Sequence, residues 1–151
     1  MITKHIKGDV RDTELNFMAH GVNCQNVMGS GVARALFERY PEVKSEYHRY
    51  LSLDDEVFGS AHRLGEVQLV DVGSDKTVLN MFTQNNYGGD GSRYVNYDAI
   101  FNCFIFVNNV LKLPKLAIPK IGCGLAGGSW NLVEAIINEC TPDTEVWVYE
   151  Y

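Results

Sequence analysis

The chain has 151 residues and a formal net charge of −6, which arises from 13 basic and 19 acidic residues mixed along the sequence. This length is typical of one domain, which we expect to span residues 1–151. The acidic balance argues against a basic groove for polymeric nucleic acid and against attraction to an anionic membrane surface.

The N-terminal stretch MITKHIKGDV contains no apolar leader, and the chain has no apolar run of about 18 residues. We therefore expect a cytoplasmic protein with no membrane partner. The 4 cysteines form no C-x-x-C pair and the 4 histidines form no H-x-x-x-H pair. This pattern predicts reduced thiols and no metal site.

Six short segments rich in β-branched and aromatic residues predict strands. They span residues 2–7, 17–22, 66–72, 77–83, 115–121 and 145–151. Apolar residues at helical spacing predict two helices after the second strand, and Pro41 is expected to start the second of them. Asn96 and Ser129 are predicted N-caps of two later helices. The alternation predicts an α/β fold with three layers, in which helices cover both faces of a mixed sheet.

Two predicted strand-to-helix junctions are rich in glycine: VNCQNVMGSGVARAL after the second strand and IGCGLAGGSWNL after the fifth. Beyond the carboxyl ends of strands, successive N–H groups and a helix N-terminus can bind an anion without a lysine. Glycines that serve only tight turns are the alternative for either loop. Two such loops in one small domain favour the binding of a pyrophosphate from opposite sides.

The segment Gly122-x-Gly124-x-x-Gly127 has the spelling of a dinucleotide-binding fingerprint. That fingerprint opens a βαβ unit, whereas only one predicted helix and one predicted strand follow here, which argues against an NAD oxidoreductase. The sequence also contains no G-x-x-x-x-G-K-[ST] loop and no G-x-S-x-G elbow. We therefore expect no cofactor and, for any hydrolysis, a water molecule as the nucleophile.

Three motifs, KGDV, VNCQN followed by MGSGVA, and IPKIGCGLAGG, resemble the macrodomain family in order and spacing along nearly the whole chain. The stretch AHGVNCQNVMGSGVARALFERYPEV is similar to the small branch that contains ADP-ribose 1″-phosphate phosphatases and terminal ADP-ribose glycohydrolases, and to compact phage macrodomains. The resemblance implies a three-layer α/β/α macrodomain with a mixed, roughly six-stranded sheet that binds ADP-ribose.

The resemblance also implies roles for individual residues. Asp9 matches the carboxylate that accepts a hydrogen bond from the adenine amino group, with a plain Gly-Asp turn as the alternative. The adjacent Val10 is likewise an implied ligand-binding residue. Asn26 matches an asparagine that faces the distal ribose, and Asn23 matches a second one with a mainly structural role. The other implied ligand-binding residues lie in the two glycine-rich loops: Gly29, Ser30, Gly31, Val32, Gly122, Cys123, Gly124, Leu125, Ala126 and Gly127.

His20 corresponds to a histidine of the phosphatase and glycohydrolase relatives, and we consider it, with Asn26, as a candidate catalytic residue. It could donate a proton to a leaving group or orient water, and a buried histidine bound to backbone is the alternative. The glycohydrolase branch uses a lysine and an aspartate where this chain has Gln84 and Ala126. These departures favour the phosphatase over the glycohydrolase.

The segment NNYGGDGSRYVNYD contains a further candidate substrate loop. Tyr87 could cover a ribose, Arg93 could pair with a terminal phosphate, and Asp90 could act as an acid or base. A solvated connection between a strand and a helix is the alternative for each of these residues.

The expected function is hydrolysis of ADP-ribose 1″-phosphate to ADP-ribose and phosphate, without a metal. The first alternative is removal of acyl or ADP-ribosyl groups from O-acetyl-ADP-ribose or ADP-ribosylated targets. The second is a non-catalytic reader of ADP-ribose. The expected partner is a small ADP-ribose derivative, and ADP-ribosylated proteins or nucleic-acid ends are further candidates.

Overall fold

A six-stranded mixed sheet forms the centre of the computed structural model, which describes residues 1–53 and 60–151. The strand order is β1-β6-β5-β2-β4-β3, in which β3 pairs antiparallel with β4 and the other pairs are parallel. The strands are β1 Ile2–Lys7, β2 Phe17–Asn23, β3 Val67–Gly73, β4 Lys76–Gln84, β5 Lys115–Ile118 and β6 Glu145–Glu150. The six predicted strands are confirmed.

The fifth strand is shorter than predicted. It ends at Ile118 because Pro119 has no N–H to donate to a neighbouring strand. The Ile121 N–H then donates to the Pro119 carbonyl at 2.8 Å, which turns the chain away from the sheet. This early end releases residues 119–121 from the sheet, so that they can line the edge at which the parallel strands finish.

The helices begin where the sequence predicts them. Asn96 caps its helix by accepting a hydrogen bond from the Ala99 N–H at 2.9 Å, whereas Ser129 occupies the N-cap position without a side-chain hydrogen bond. Pro41 directly precedes the second helix, as expected. The helices are α1 Gly31–Arg39, α2 Glu42–Ser52, α3 Tyr97–Ile105, which continues as a π-helix over Phe106–Leu111, and α4 Trp130–Cys140.

Alternating side chains of the sheet bury two separate cores, which gives the three layers. On β4, Val78 and Phe82 pack in the cluster that contains residues of α1 and α2, while Leu79 and Met81 pack in the cluster that contains residues of α3 and α4. The predicted α/β/α architecture is therefore confirmed. None of the helices in the described ranges is long and apolar enough to cross a membrane.

The two predicted caps differ in a way that stability measurements can test. We expect Asn96→Ala to lower the free energy of unfolding by about 1 kcal/mol, because the Ala99 N–H loses its acceptor. Ser129→Ala is the matched control and should change it by less than about 0.5 kcal/mol, since the Ser129 side chain makes no capping bond. Urea denaturation measures both values, and equal losses would contradict the assignment.

Candidate functional site

A cavity of about 660 Å³ lies at the edge where β2, β4 and β5 end. This volume is within the usual range for small-molecule sites, and the carboxyl ends of parallel strands are the usual place for them in α/β folds. The lining residues are 20–23, 27–33, 84, 87–89, 119–122 and 124–126. Both glycine-rich junctions singled out in the sequence therefore line one cavity.

The first wall of the cavity contains the N-terminus of α1. Ser30 occupies the N-cap position, but its side chain caps no N–H group, and the first turn contains no acidic residue. Gly31 adopts a φ of 62°, which brings the backbone from the loop into the helix. The first N–H groups of α1 and the positive end of its dipole are consequently left for an anion.

The opposite wall is the loop that follows β5. The Gly128 N–H donates to the Gly122 carbonyl at 2.7 Å, and the Gly127 N–H donates to the Gly124 carbonyl at 3.1 Å. Within the described residues, the N–H groups of Gly124, Leu125 and Ala126 donate to no protein acceptor. The loop is thus held by its own backbone and leaves three successive donors beside the cavity.

The side chains of the lining carry little charge. Among the described lining residues there is no aspartate or glutamate, although the whole chain has a net charge of −6. Lys120 contributes a cation, which sequence reasoning missed although the residue lies within the quoted motif IPKIGCG. A cavity with free amides, one lysine and no carboxylate suits an anionic ligand.

His20 is fully buried beneath the cavity. Its Nε2–H donates to Asn80 Oδ1, because the Asn80 amide nitrogen already donates to Gln68 Oε1 at 3.0 Å and to the Val43 carbonyl at 3.2 Å. The remaining nitrogen, Nδ1, has no hydrogen-bond partner in the described structure. Burial lowers the pKa of His20 to about 4, so the imidazole is neutral at neutral pH.

This arrangement differs from the buried histidine bound to backbone that the sequence leaves as the alternative. The partner is the side chain of Asn80, which sequence reasoning missed together with Gln68. Both are polar residues inside strands of mainly apolar residues, and that was the available signal. The catalytic role of His20 stays a prediction.

The two asparagines of the VNCQN motif have different surroundings. Asn23 lines the cavity, and its side chain staples the loop by accepting from the Gln25 N–H at 2.9 Å and donating to the Val27 carbonyl at 2.8 Å. Asn26, with a φ of 62°, lies outside the lining, and its Oδ1 accepts a 2.6 Å hydrogen bond from His48 Nδ1. Asn26 is therefore bound to α2 in this structure.

Asp9 lies at the end of β1, away from the lining of the cavity. Its Oδ2 accepts from the Arg11 guanidinium at 2.6 Å and from the Tyr151 hydroxyl, and its Oδ1 accepts from the Arg11 N–H. These hydrogen bonds from Arg11 hold the pKa of Asp9 well below its usual range. The carboxylate is thus a permanently charged acceptor, while the adjacent Val10 is part of the core.

The candidate substrate loop is divided between two places. Tyr87 lines the cavity, whereas Asp90 accepts from the Ser92 N–H and the Tyr94 hydroxyl, both at 2.9 Å. The Arg93 guanidinium carbon lies 4.8 Å from the ring centroid of Tyr97, in a second cavity of about 450 Å³. Asp90 and Arg93 are therefore not among the residues that line the first cavity.

Two residues of the loop after β5 also lie outside the lining. Cys123 is partly buried and donates weakly to the Ile121 carbonyl, and burial raises the pKa of its thiol, which opposes a nucleophilic role. Gly127 packs against the backbone of Ser92. In contrast, Gln84 and Ala126, which replace the lysine and aspartate of the glycohydrolase branch, both line the cavity.

The fold and the cavity define an α/β protein with a backbone-lined candidate site for an anionic ligand. The sequence model of the Macro domain family matches residues 19–137 of the chain. The protein belongs to the macrodomain family, as the three motifs indicated.

Three relatives are similar in sequence to this chain, and two of them are named as enzymes that act on ADP-ribose derivatives. A protein of Enterobacteria phage T4, described as an uncharacterized 17.5 kDa protein in the tk-vs intergenic region, is 30% identical over 160 residues, covering 100% of this chain and 97% of that protein. The DNA ADP-ribosyl glycohydrolase of Mycobacterium tuberculosis is 26% identical over 94% of this chain, which spans 40% of that enzyme. The ADP-ribose 1″-phosphate phosphatase of Saccharomyces cerevisiae is 25% identical, covering 97% of both chains.

Solved structures show the same architecture. A protein of Bacteroides thetaiotaomicron superimposes with a TM-score of 0.83 and 30% identity, covering 100% of both chains. The macrodomain of Mycobacterium tuberculosis DarG superimposes with a TM-score of 0.78 and 26% identity, covering 100% of this chain and 98% of that one. These likenesses confirm the macrodomain fold.

The glycines of the loop after β5 are predicted to differ in their contribution to stability. A Cβ on Gly127, which has a φ of 74°, would lie 2.7 Å from the Ser92 carbonyl oxygen, whereas a Cβ on Gly124 would meet no atom within 4 Å. We expect Gly127→Ala to cost about 2–4 kcal/mol of unfolding free energy. Gly124→Ala should cost less than about 0.5 kcal/mol. Similar losses in denaturant titrations would contradict the described loop conformation.

His20 should make stability depend on pH. Its pKa is lowered to about 4 in the folded protein against an ordinary value of 6.5, so the unfolded chain binds the extra proton between these values. The contribution of His20 to the free energy of unfolding is therefore complete above pH 6.5 and is lost as pH falls towards 4. We expect His20→Gln to flatten the decline over that interval by about 2–3 kcal/mol. Parallel wild-type and variant profiles of unfolding free energy would refute this.

Proposed function

We propose that this macrodomain binds ADP-ribose and hydrolyses ADP-ribose 1″-phosphate to ADP-ribose and phosphate. The observation that carries the proposal is two sets of unpartnered N–H groups, at the start of α1 and in the loop after β5. Both sets line one cavity, and its described lining residues include no carboxylate. A pyrophosphate bears acceptor oxygens on two sides and a delocalised negative charge. It therefore matches donors that come from two opposite walls.

The order of the strands supports the orientation of the ligand. Along the edge, the chain places Asp9 after β1, the loop of residues 119–128 after β5, the loop of residues 24–30 after β2, and Gln84 at the end of β4. Four strand spacings separate β1 from β4, which is roughly 19 Å. ADP-ribose contains its base, first ribose, diphosphate and second ribose in a matching order. The adenine thus lies near Asp9, and the distal ribose lies near β2 and β4.

For hydrolysis, a water molecule attacks the terminal phosphorus and gives up one proton, and the bond from phosphorus to the oxygen on C1″ breaks. That oxygen takes up one proton, so that ADP-ribose and hydrogen phosphate leave. N–H groups directed at the terminal phosphate stabilise the charge that develops on it, and the walls of the cavity hold this phosphate and the water together. His20, which lines the cavity, and Asn26, which has to exchange its hydrogen bond from His48 for the ligand, are the proposed catalytic side chains at this end. The likeness to the yeast phosphatase over 97% of both chains supports this reaction.

A second candidate function is binding of ADP-ribose without turnover. It is favoured by the low pKa of His20, which makes the imidazole a weak base, and by the missing carboxylate among the described lining residues. Gln84 and Ala126 in the lining disfavour cleavage by a lysine and aspartate pair. The mycobacterial glycohydrolase is nevertheless a relative, so cleavage of ADP-ribosylated targets is included in the test.

Calorimetric titration tests the binding. We expect saturable binding of ADP-ribose, with an affinity that Asp9→Ala weakens about tenfold, because a charge-assisted hydrogen bond to adenine is lost. Asp12→Ala is the matched control, since Asp12 lies three residues on and pairs with Arg39 instead. Ribose 5-phosphate, which has no adenine, should bind both variants equally. Absence of ADP-ribose binding to the wild type would refute the proposed function.

Product analysis with the same protein separates the candidate activities. Release of inorganic phosphate from ADP-ribose 1″-phosphate supports the phosphatase, and tight binding without release supports the reader. Release of acetate from O-acetyl-ADP-ribose, or of ADP-ribose from a glutamate-linked or DNA-linked substrate, supports the first alternative. If His20→Ala binds ADP-ribose and turns over the 1″-phosphate at the wild-type rate, the catalytic role of His20 is wrong.

A further inference from the structure

Lys120 is among the residues that line the cavity and lies near the start of the loop after β5. Its Nζ lies 2.9 Å from Glu150 Oε2 and 5.6 Å from the ring centroid of Trp130. The lysine side chain is 33% exposed, and the glutamate side chain is 60% exposed. Lys120 therefore lines the cavity while its ammonium group pairs with a carboxylate of a residue that is not among the lining residues.

The pair with Glu150 is of the kind that a ligand can replace. Exposed ion pairs contribute little net stability, because water solvates both charges when they separate. Glu150 is not among the lining residues, so the lysine can turn to a ligand without bringing the carboxylate into the cavity. A phosphate oxygen bound in the cavity would offer this cation an alternative charged partner.

The strand order assigns the part of the ligand that Lys120 meets. The Gly8 N–H, next to Asp9, donates to the Glu150 carbonyl at 2.8 Å, so the ends of β1 and β6 adjoin. Lys120 follows β5, the next strand in the sheet, and precedes the free amides of residues 124–126. It thus lies between the carboxylate proposed for adenine and the donors proposed for the diphosphate.

We propose that Lys120 is a ligand-binding residue that pairs with the adenosine-side phosphate of ADP-ribose, and that Glu150 competes with the ligand for this lysine. The inference rests on the proposed function, because it needs an adenine nucleotide diphosphate in the cavity. Its consequence is that Glu150 lowers the affinity for the ligand. Removing the carboxylate strengthens binding only while the lysine is present.

The same strand offers a matched control. Lys115 begins β5, and its Nζ lies 3.9 Å from Glu145 Oε2 and 5.4 Å from the ring centroid of Trp147. It therefore has the same kinds of neighbour as Lys120, a glutamate of β6 and a tryptophan. Lys115 is at the opposite end of the strand and does not line the cavity. Methionine at either position removes the cation and keeps an apolar stem of similar length.

Calorimetric titration of the full chain with ADP-ribose tests the proposal. We expect Lys120→Met to weaken binding about tenfold and Lys115→Met to change it less than about twofold. Glu150→Gln should tighten binding about twofold to threefold, and this gain should vanish in the Lys120→Met/Glu150→Gln double variant. Adenosine, which has no phosphate, should bind the wild type and Lys120→Met equally. Thermal melting of each variant monitors folding.

Equal affinities of Lys120→Met and Lys115→Met for ADP-ribose would overturn the role of Lys120. A loss of affinity in Glu150→Gln, or a gain that persists in the double variant, would overturn the competition. If the wild type binds ADP-ribose and only these variant effects are missing, the proposed function stands and this inference fails. If the wild type binds no ADP-ribose, both fail.

Discussion

The site depends on backbone N–H groups that the protein itself leaves without acceptors. At the start of α1, the N-cap serine makes no capping bond and no acidic side chain follows in the first turn. In the loop after β5, three successive amides donate to no acceptor in the described part of the chain. Uncapped donors forgo stabilisation that a side chain could supply, and water or a ligand must satisfy them. The cavity between them therefore presents donors that an anionic ligand can satisfy.

Glycine has two separate functions in the loop that supplies these amides. At Gly122 and Gly127, positive φ angles and close neighbours leave no space for a Cβ, so these residues hold the loop against residues 92–95. At Gly124, a Cβ would meet open space on the cavity side, and the absence of a side chain lets a ligand approach the backbone. The G-x-G-x-x-G segment thus combines two glycines that pack against neighbouring residues, Gly122 and Gly127, with one that faces open space, Gly124. The two packed glycines and the open one fit the proposed phosphate binding, whereas the one helix and one strand that follow the loop do not make a dinucleotide fold.

Sequence reasoning located the strands, the helix starts and the two loops, because these depend on periodicity and on residues close together in the chain. Most of what it missed depends on strand order, which brings distant residues together. His20 meets Asn80, 60 residues later, and Asn26 meets His48, 22 residues later. Arg93, which is near the site in sequence, lies over the ring of Tyr97 in this structure, and its phosphate role stays a prediction. Lys120 was within a recognised motif, yet its charge became relevant only when the described lining residues proved to include no aspartate or glutamate.

A site built from amides constrains the chemistry that it can perform. N–H groups bind and polarise phosphate oxygens, but they do not accept a proton from water or deliver one to a leaving group at neutral pH. Proton transfer therefore depends on titratable side chains near the cavity. His20, beneath the cavity, is neutral because protonating its unpartnered Nδ1 would place an unpaired cation in the core. Any rate enhancement must come chiefly from orientation and charge stabilisation. In the proposed hydrolysis, the proton that the departing oxygen takes up therefore has to come from the attacking water rather than from a charged imidazole.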